Sequence, residues 1–206
     1  LKNHINRINQ EFEKLKIPAA LIDIEQDKIP DLIDAAGIVI IADSFKHPDS
    51  KTAKAFLKTA FCLAQKNAPH LISSADEKGA FLATVSFMGG GFGFNTPSFS
   101  ASPVYGGLAG LAKTASLEWK TVLCRALDMP DSVEKCIENA DAAVSLMMTH
   151  GALEMGLDGD SCNIPTLENR EISEGTVDLG TDDVVVITGG AKGVTAECAV
   201  QLARAY

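Results

Sequence analysis

The chain has 206 residues, 46% of them hydrophobic, which is typical of a globular protein able to bury a core. Its formal net charge of −9 comes without clusters of Lys or Arg, which argues against a surface that binds nucleic acid or an anionic membrane. The five cysteines show no CxxC spacing, which indicates neither a disulfide framework nor a zinc site, and we expect a cytoplasmic protein without a membrane-spanning segment.

Helical and strand patterns alternate from the start of the chain to residue 167. The predicted elements, in order, are a helix that Pro18 ends, a strand over 19–24, a helix over 29–36, a strand over 38–43, a helix over 52–67, a strand over 80–86, a helix over 106–119, a strand over 122–128, a helix over 133–148, and short strands over 152–155 and 163–167. This alternation predicts an α/β fold, a Rossmann-like doubly wound parallel sheet.

A second β-α unit follows the first domain. Residues 169–182 are polar and acidic and predict a linker. The apolar, β-branched run Val184–Ile187 is typical of a strand buried on both faces of a parallel sheet. Small and apolar residues then recur at helical spacing up to residue 203. We therefore predict a domain over 1–168, a linker over 169–182, and the first β-α unit of a second Rossmann subdomain over 183–206. Because one strand and one helix cannot bury their apolar faces alone, we expect the chain to be a piece of a longer protein.

The sequence TGGAKG lies between the predicted strand and helix of the second unit. A glycine-rich turn that leads from a strand into a helix directs backbone N–H groups and the positive helix end at a phosphate. We predict that this loop binds a nucleotide phosphate. Lys192 either adds a positive charge near that phosphate or is a solvated loop residue. The candidate cofactor-binding residues are Thr188, Gly189, Gly190, Lys192, Gly193 and Val194.

A second glycine-rich stretch, SFMGGGFGF over 86–94, also follows a predicted strand. The next residues, NTPSFSASP, contain two prolines and do not begin a helix at the last glycine. No helix N-terminus is then available to bind an anion. This stretch predicts a flexible structural loop.

Other polar residues give no site pattern. The serines at 98, 100 and 102 lack a GxSxG motif, and the four histidines match no HExxH motif. Asp158 and Asp160 lie in a turn that lacks the remaining calcium ligands. We assign no metal site.

Three stretches resemble the ketoreductase domain of polyketide synthase-type assembly lines, most closely that of polyunsaturated fatty acid synthases. They are GGLAGLAKTASLEW with the following CRALDM, HGALEMGLDGDSCNIPTLE, and VVVITGGAKGVTAECA. The resemblance covers roughly residues 19–206 and implies two short-chain dehydrogenase-like halves. The first is a truncated structural half without cofactor or catalysis, and the second is a catalytic half that begins at the TGG turn.

The resemblance also implies a reaction and its partners. The hydride donor would be NADPH, and the substrate a β-ketoacyl group on the phosphopantetheine of an acyl carrier protein, within the remainder of the synthase. A basic residue at the position of Lys192 is associated with NADPH preference in such dehydrogenases.

The chain departs from the family at its active site, which uses a Ser and a YxxxK motif in which the tyrosine acts as general acid. The only tyrosines are Tyr105 and Tyr206, and residue 109, four after Tyr105, is alanine. If Glu118 is aligned with the acidic residue that ends the family's helix, Ala101 takes the tyrosine position and Tyr105 the lysine position. Neither alignment restores the pair, so we assign no catalytic residue. The alternative function is a non-catalytic nucleotide-binding sensor or scaffold with a dehydrogenase-like fold.

Overall fold

A computed structural model describes residues 2–24, 28–42, 49–94, 102–159, 161–171 and 178–206. The helices are α1 (Lys2–Lys14), α2 (Ser50–Lys78), α3 (Gly107–Glu118), α4 (Val133–Glu138), α5 (Ala140–Met148) and α6 (Gly193–Ala205). The strands are β1 (Gly37–Ile41), β2 (Phe81–Ser86), β3 (Leu123–Asp128), β4 (Glu154–Asp158) and β5 (Ser161–Asn163), and a 3-10 turn over Pro103–Gly106 precedes α3. The chain divides into two compact units, Leu1–Thr166 and Leu167–Tyr206.

The first unit contains a five-stranded sheet in the order β1-β2-β3-β4-β5. β1 to β4 are parallel, and β5 pairs antiparallel with β4. The prediction of an α/β fold with a mostly parallel sheet is confirmed.

Helices cover both faces of the sheet, because alternate strand residues point to opposite sides. Leu82 and Cys124 share a core with α2 and α3 on one face. Val85 and Leu127 share a core with α1, α4 and α5 on the other face. The β1-to-β2 and β2-to-β3 connections therefore pass over one face, and the β3-to-β4 connection passes over the opposite face. Each of β2, β3 and β4 lies on the same side of the strand before it in the sheet. The β3-to-β4 connection therefore has the opposite hand to the two connections before it. Nearly all connections between parallel strands are right-handed, so this difference in hand is unusual.

The strand order bears on where a ligand binds. In open α/β sheets, ligands bind beyond the carboxyl ends of the strands at the point where the strand order reverses. Across the part of the chain that the structure describes, the five strands run consecutively without a reversal. The first unit therefore lacks this type of crevice within the described sheet.

α2 extends to Lys78, beyond the predicted end at residue 67, and it contains Pro69. Leu71 is fully buried in the next turn of the helix. The side chain of Asn67 is also buried and donates to the carbonyls of Leu63 and Pro30. Packing of this face against the core continues the helix through the proline, which has no N–H to donate.

Two elements predicted near the N-terminus are wrong. Residues 19–24 form no strand and 29–36 no helix. Ile17 packs against the core on the α1 face, and Ile24 against the core on the α2 face, so this segment passes from one side of the sheet to the other. Asn67 Oδ1 accepts from Leu32 N at 2.7 Å, and Lys66 Nζ donates to Ile29 O at 2.9 Å. Side chains of α2 therefore bond backbone groups that a helix would have paired.

The last elements of the first unit differ in their limits. The helix predicted over 133–148 is divided into α4 and α5 at Asn139, whose side chain donates to Lys135 O at 2.8 Å. The final strands form a hairpin over β4 and β5 in place of the predicted 152–155 and 163–167. The predicted end of the first long strand, Asp43, lies outside the described residues.

Candidate functional site

The TGGAKG loop of the second unit forms a tight turn followed directly by α6. Gly190 N donates to Ile187 O at 3.4 Å, and Lys192 N lies 3.5 Å from Gly189 O. α6 then begins at Gly193, as the sequence predicts.

Two glycines of this loop have backbone angles that favour glycine. Gly189 has a φ of 75° and Gly193 a φ of 67°. A Cβ atom built at either position would meet no atom within 4 Å. The loop therefore leaves open space at the two positions where a side chain would obstruct a ligand.

The N-terminus of α6 carries donors that no capping side chain uses. Lys192 is the N-cap residue, its backbone is extended, and no side chain caps the helix there. The first turn of α6 contains no acidic residue. The first N–H groups of a helix have no partner within the helix, and the helix dipole makes this end positive. Lys192 and Val194 beside this end are exposed, and a helix end of this kind is able to accept a phosphate.

Residues 184–187 precede this loop without regular secondary structure, so they do not form the predicted strand. Val184 and Val186 are 91% and 87% exposed. Among the described residues no other strand pairs with this run, and a strand needs a neighbour for its backbone hydrogen bonds. α6 likewise contains no buried residue. The segment has the apolar composition of a strand in a protein core, but in this unit its valine side chains are exposed.

The loop over 87–94 in the first unit is built around the carboxylate of Asp128, the last residue of β3. Met88 N donates to Asp128 Oδ1 at 2.6 Å, and Phe92 N donates to Oδ2 at 2.7 Å. Ser86 Oγ lies 2.8 Å from Oδ1. The backbone donors of this glycine-rich loop therefore already have an anion, supplied by the same chain.

Close backbone packing also fixes the loop. A Cβ atom at Gly90 would lie 2.0 Å from Leu157 O, and one at Gly156 would lie 2.1 Å from Gly90 O. Asn163 Nδ2 donates to Gly90 O at 3.0 Å. Gly90 N donates to Met129 O at 3.1 Å. Residues 87–94 thus form a hydrogen-bonded turn with a structural role, and the predicted flexibility of this stretch stays a prediction.

Asp128 is fully buried, and its electrostatics reflect two opposing effects. Burial raises the pKa of the Asp128 carboxyl above its ordinary value. Hydrogen bonds from Met88, Phe92, Ser86 and Gly90 act in the opposite direction and reduce the rise in pKa. Each hydrogen bond to the two oxygens comes from a donor, which suits the ionised form.

A second buried charge, Arg125, closes the C-terminal end of α5. Its side chain is fully buried, Nε donates to Leu146 O at 3.1 Å, and Nη2 donates to Thr149 O. A cation is stabilised at the negative end of a helix. Nη1 has no hydrogen-bond partner within the described structure, and burial lowers the pKa of this guanidinium. No sequence pattern singles out Arg125, because an arginine in a predicted strand does not reveal which groups its side chain contacts.

Tyr105 and His70 make packing or pairing contacts with other side chains of the first unit. Tyr105 is buried, and its ring contacts Phe56 edge-on with centroids 5.6 Å apart. His70 Nε2 lies 2.8 Å from Asp31 Oδ1. The candidates that lie outside the described residues are His47, Ser98, Ser100, Ala101 and Asp160.

Two of the cysteines are buried thiols. Burial raises the pKa of Cys124 to about 11. Burial and the neighbouring carboxylate of Asp131 raise the pKa of Cys136 to about 12. Both thiols are therefore protonated and unreactive at neutral pH.

Over the described ranges, no three His, Cys, Asp or Glu side chains come together as a possible metal site. None of the described helices has the length and apolar character needed to cross a membrane.

Comparison with family models and with curated protein sequences finds no relative. No family model matches the chain, and no curated protein sequence matches it.

Proposed function

We propose that this chain is part of a β-ketoacyl reductase of a multidomain polyketide or polyunsaturated fatty acid synthase. In this proposal, the intact enzyme reduces a β-ketoacyl group on an acyl carrier protein to the β-hydroxyacyl group. Residues 1–168 form a structural half, and residues 183–206 begin the half that binds NADPH. No residue of the chain is assigned a catalytic role.

The observation that carries the proposal is the turn at 188–193 with its open helix end. Gly189 and Gly193 combine positive φ angles with empty space, and α6 begins without a side-chain cap. Phosphate oxygens fit the N–H donors at the start of α6, which have no partner within the helix, and the positive end of the helix dipole. Thr188, Gly190, Lys192 and Val194 complete the proposed contact set. NADPH, when bound, supplies the hydride that converts the β-carbonyl carbon to the carbon of an alcohol.

The first half supports the proposal by contrast. Its own glycine-rich loop offers its donors to Asp128, and its described strands do not reverse their order. Both features disfavour a second nucleotide site there. A structural half beside a cofactor-binding half is what the resemblance to assembly-line ketoreductases implies.

The test is reduction of a β-ketoacyl thioester, followed through loss of NADPH absorbance, by the intact protein that contains this chain and by the 206-residue chain alone. We expect turnover by the intact protein and none above the no-enzyme control by the chain alone, because the chain lacks the Tyr and Lys pair. Turnover by the 206-residue chain would overturn the assignment of a silent first half. Tight NADPH binding without reduction by the intact protein would favour the sensor or scaffold.

A further inference from the structure

The carboxylate of Asp128 occupies a position that resembles a bound ligand. Oδ1 accepts from Met88 N and Ser86 Oγ, and Oδ2 accepts from Phe92 N, all within 2.8 Å. The two backbone N–H groups are four residues apart, and together with the Ser86 hydroxyl they surround one carboxylate. Here the oxyanion belongs to the protein.

The conformation of the loop also depends on features that do not involve Asp128. Gly89, Gly90 and Gly93 have φ angles of 87°, 72° and 78°, which suit glycine. Phe92 has a φ of 52°, an uncommon value for a bulky residue that persists only when the surroundings enforce it.

Packing against the β4-β5 hairpin holds the loop in this conformation. Gly90 lies against the backbone of Leu157, and Asn163 binds the Gly90 carbonyl. Removal of the Asp128 carboxylate should therefore leave the Met88 and Phe92 N–H groups still directed at one point.

We propose that residues 86–92 form an oxyanion site whose ligand is the chain's own Asp128 carboxylate, and that removal of this carboxylate opens the site to a small free monocarboxylate. Formate is the best probe, because Asp128→Ala removes one carboxyl carbon and two oxygens, and formate returns the same three heavy atoms and the same charge. Acetate carries an additional methyl group that would meet the new Ala Cβ. Chloride offers neither two acceptor atoms nor their spacing.

The site has a consequence for external ligands of the native protein. Because the carboxylate is covalently attached, its local concentration exceeds that of any free anion. In the unmodified chain the donors of this loop are therefore closed to phosphates and free carboxylates. This inference is independent of the proposed reductase activity, and its failure would leave the assignment of residues 188–194 unchanged.

Chemical rescue tests the proposal. The melting temperatures of the wild-type 206-residue chain, Asp128→Ala and Asp158→Ala are measured at neutral pH in sodium formate, sodium acetate and sodium chloride of equal ionic strength. Asp158 is the matched control, because it is an exposed aspartate that ends the adjacent strand and pairs only with Lys135, at 3.4 Å, within the described structure.

We expect formate to raise the melting temperature of Asp128→Ala in a saturable manner and to act like chloride on the other two proteins. The folded-to-unfolded ratio of Asp128→Ala should rise about tenfold when formate is at roughly ten times its dissociation constant. Acetate should stabilise this variant less than formate does. A folded Asp128→Ala whose melting temperature is the same in formate and chloride would overturn the proposal.

Refolding provides the second measurement if Asp128→Ala does not fold in chloride. Denatured Asp128→Ala is diluted into formate or chloride, and the near-ultraviolet circular dichroism signal reports native packing. Recovery in formate alone supports the site, since formate then replaces the missing side chain. Failure in both salts overturns it, because the proposed site would not have bound the ligand that matches the deleted group.

Discussion

The two glycine-rich loops of the chain follow apolar runs of similar character, yet they use their backbone donors in opposite ways. In the loop over 87–94, the N–H groups of Met88 and Phe92 bind the buried carboxylate of Asp128. The loop over 188–193 leads directly into α6, and no side chain caps the N–H groups at the start of this helix. Glycine content alone therefore does not distinguish a ligand site from a closed structural turn. The distinction depends on whether the fold supplies an anion of its own.

The largest expected effect comes from filling the space at one glycine in each loop. Gly90→Ala places a methyl group 2.0 Å from the backbone oxygen of Leu157, where neither group can move freely, and its φ of 72° adds strain. We expect a loss of about 3 kcal/mol or more in the free energy of unfolding. Gly189→Ala has a similar φ of 75° but open space, and should cost only about 1 kcal/mol.

Urea unfolding of both glycine variants measures this difference. Equal losses for the two would contradict the contrast between a packed first loop and an open second loop.

A smaller effect is expected from removal of the internal anion. Asp128→Ala removes the acceptor of the buried Met88 N–H and of the half-buried Phe92 N–H, whereas the Ser86 hydroxyl keeps Leu127 O at 3.4 Å. An unsatisfied buried polar group costs about 1–3 kcal/mol. We expect the free energy of unfolding in chloride to fall by about 3 kcal/mol in all, and that of Asp158→Ala to change by less than about 1 kcal/mol. Thermal or urea unfolding of the two variants tests this prediction. Wild-type stability in Asp128→Ala would mean that the carboxylate does not hold the loop.

The smallest effect is a dependence of stability on pH. Burial raises the pKa of Asp128 in the folded chain above its unfolded value, so the contribution of this group to stability is complete below the unfolded pKa and is lost as pH rises through the folded pKa. Asp128→Asn cannot ionise. The free energy of unfolding of the wild type relative to Asp128→Asn should therefore fall as the pH is raised from acidic values toward neutrality.

Urea unfolding of both proteins across this pH range gives the difference directly, and other titrating groups cancel in it. A difference that rises with pH would show that the hydrogen bonds to Asp128 outweigh its burial.

The sequence predicted the class of fold because its strong signals are local. The apolar strand at 38–41, the helix at 107–118 and the glycine turn that opens α6 all appear at or near their expected positions. The failures depend on long-range contacts. Residues 19–24 lack a pairing neighbour, and α2 passes Pro69 because Asn67 and Leu71 pack on the core.

The role of Asp128 also depended on contacts that the sequence does not display. Asp128 and Ser86 each end a predicted strand, and the carboxyl ends of parallel neighbouring strands meet at one edge of a sheet. The sequence therefore contains the information that Ser86 and Asp128 end strands, but their contact can be predicted only if the two strands are known to be adjacent. The turn at 188–193 could be predicted from the sequence, because the turn and its helix are consecutive in the chain.

The most direct test of the central claim is NADPH titration of the proposed intact reductase, with Gly193→Val and Gly159→Val as matched variants. Gly159 has a φ of 60° and, like Gly193, no atom within 4 Å of a built Cβ, but it lies in the β4-β5 turn. Cofactor fluorescence gives the affinity, and circular dichroism checks the fold. The account predicts that Gly193→Val weakens NADPH binding at least about tenfold, because valine obstructs the approach of the pyrophosphate, and that Gly159→Val binds as the wild type does. Wild-type affinity in a folded Gly193→Val protein would contradict the assignment of the cofactor to residues 188–194.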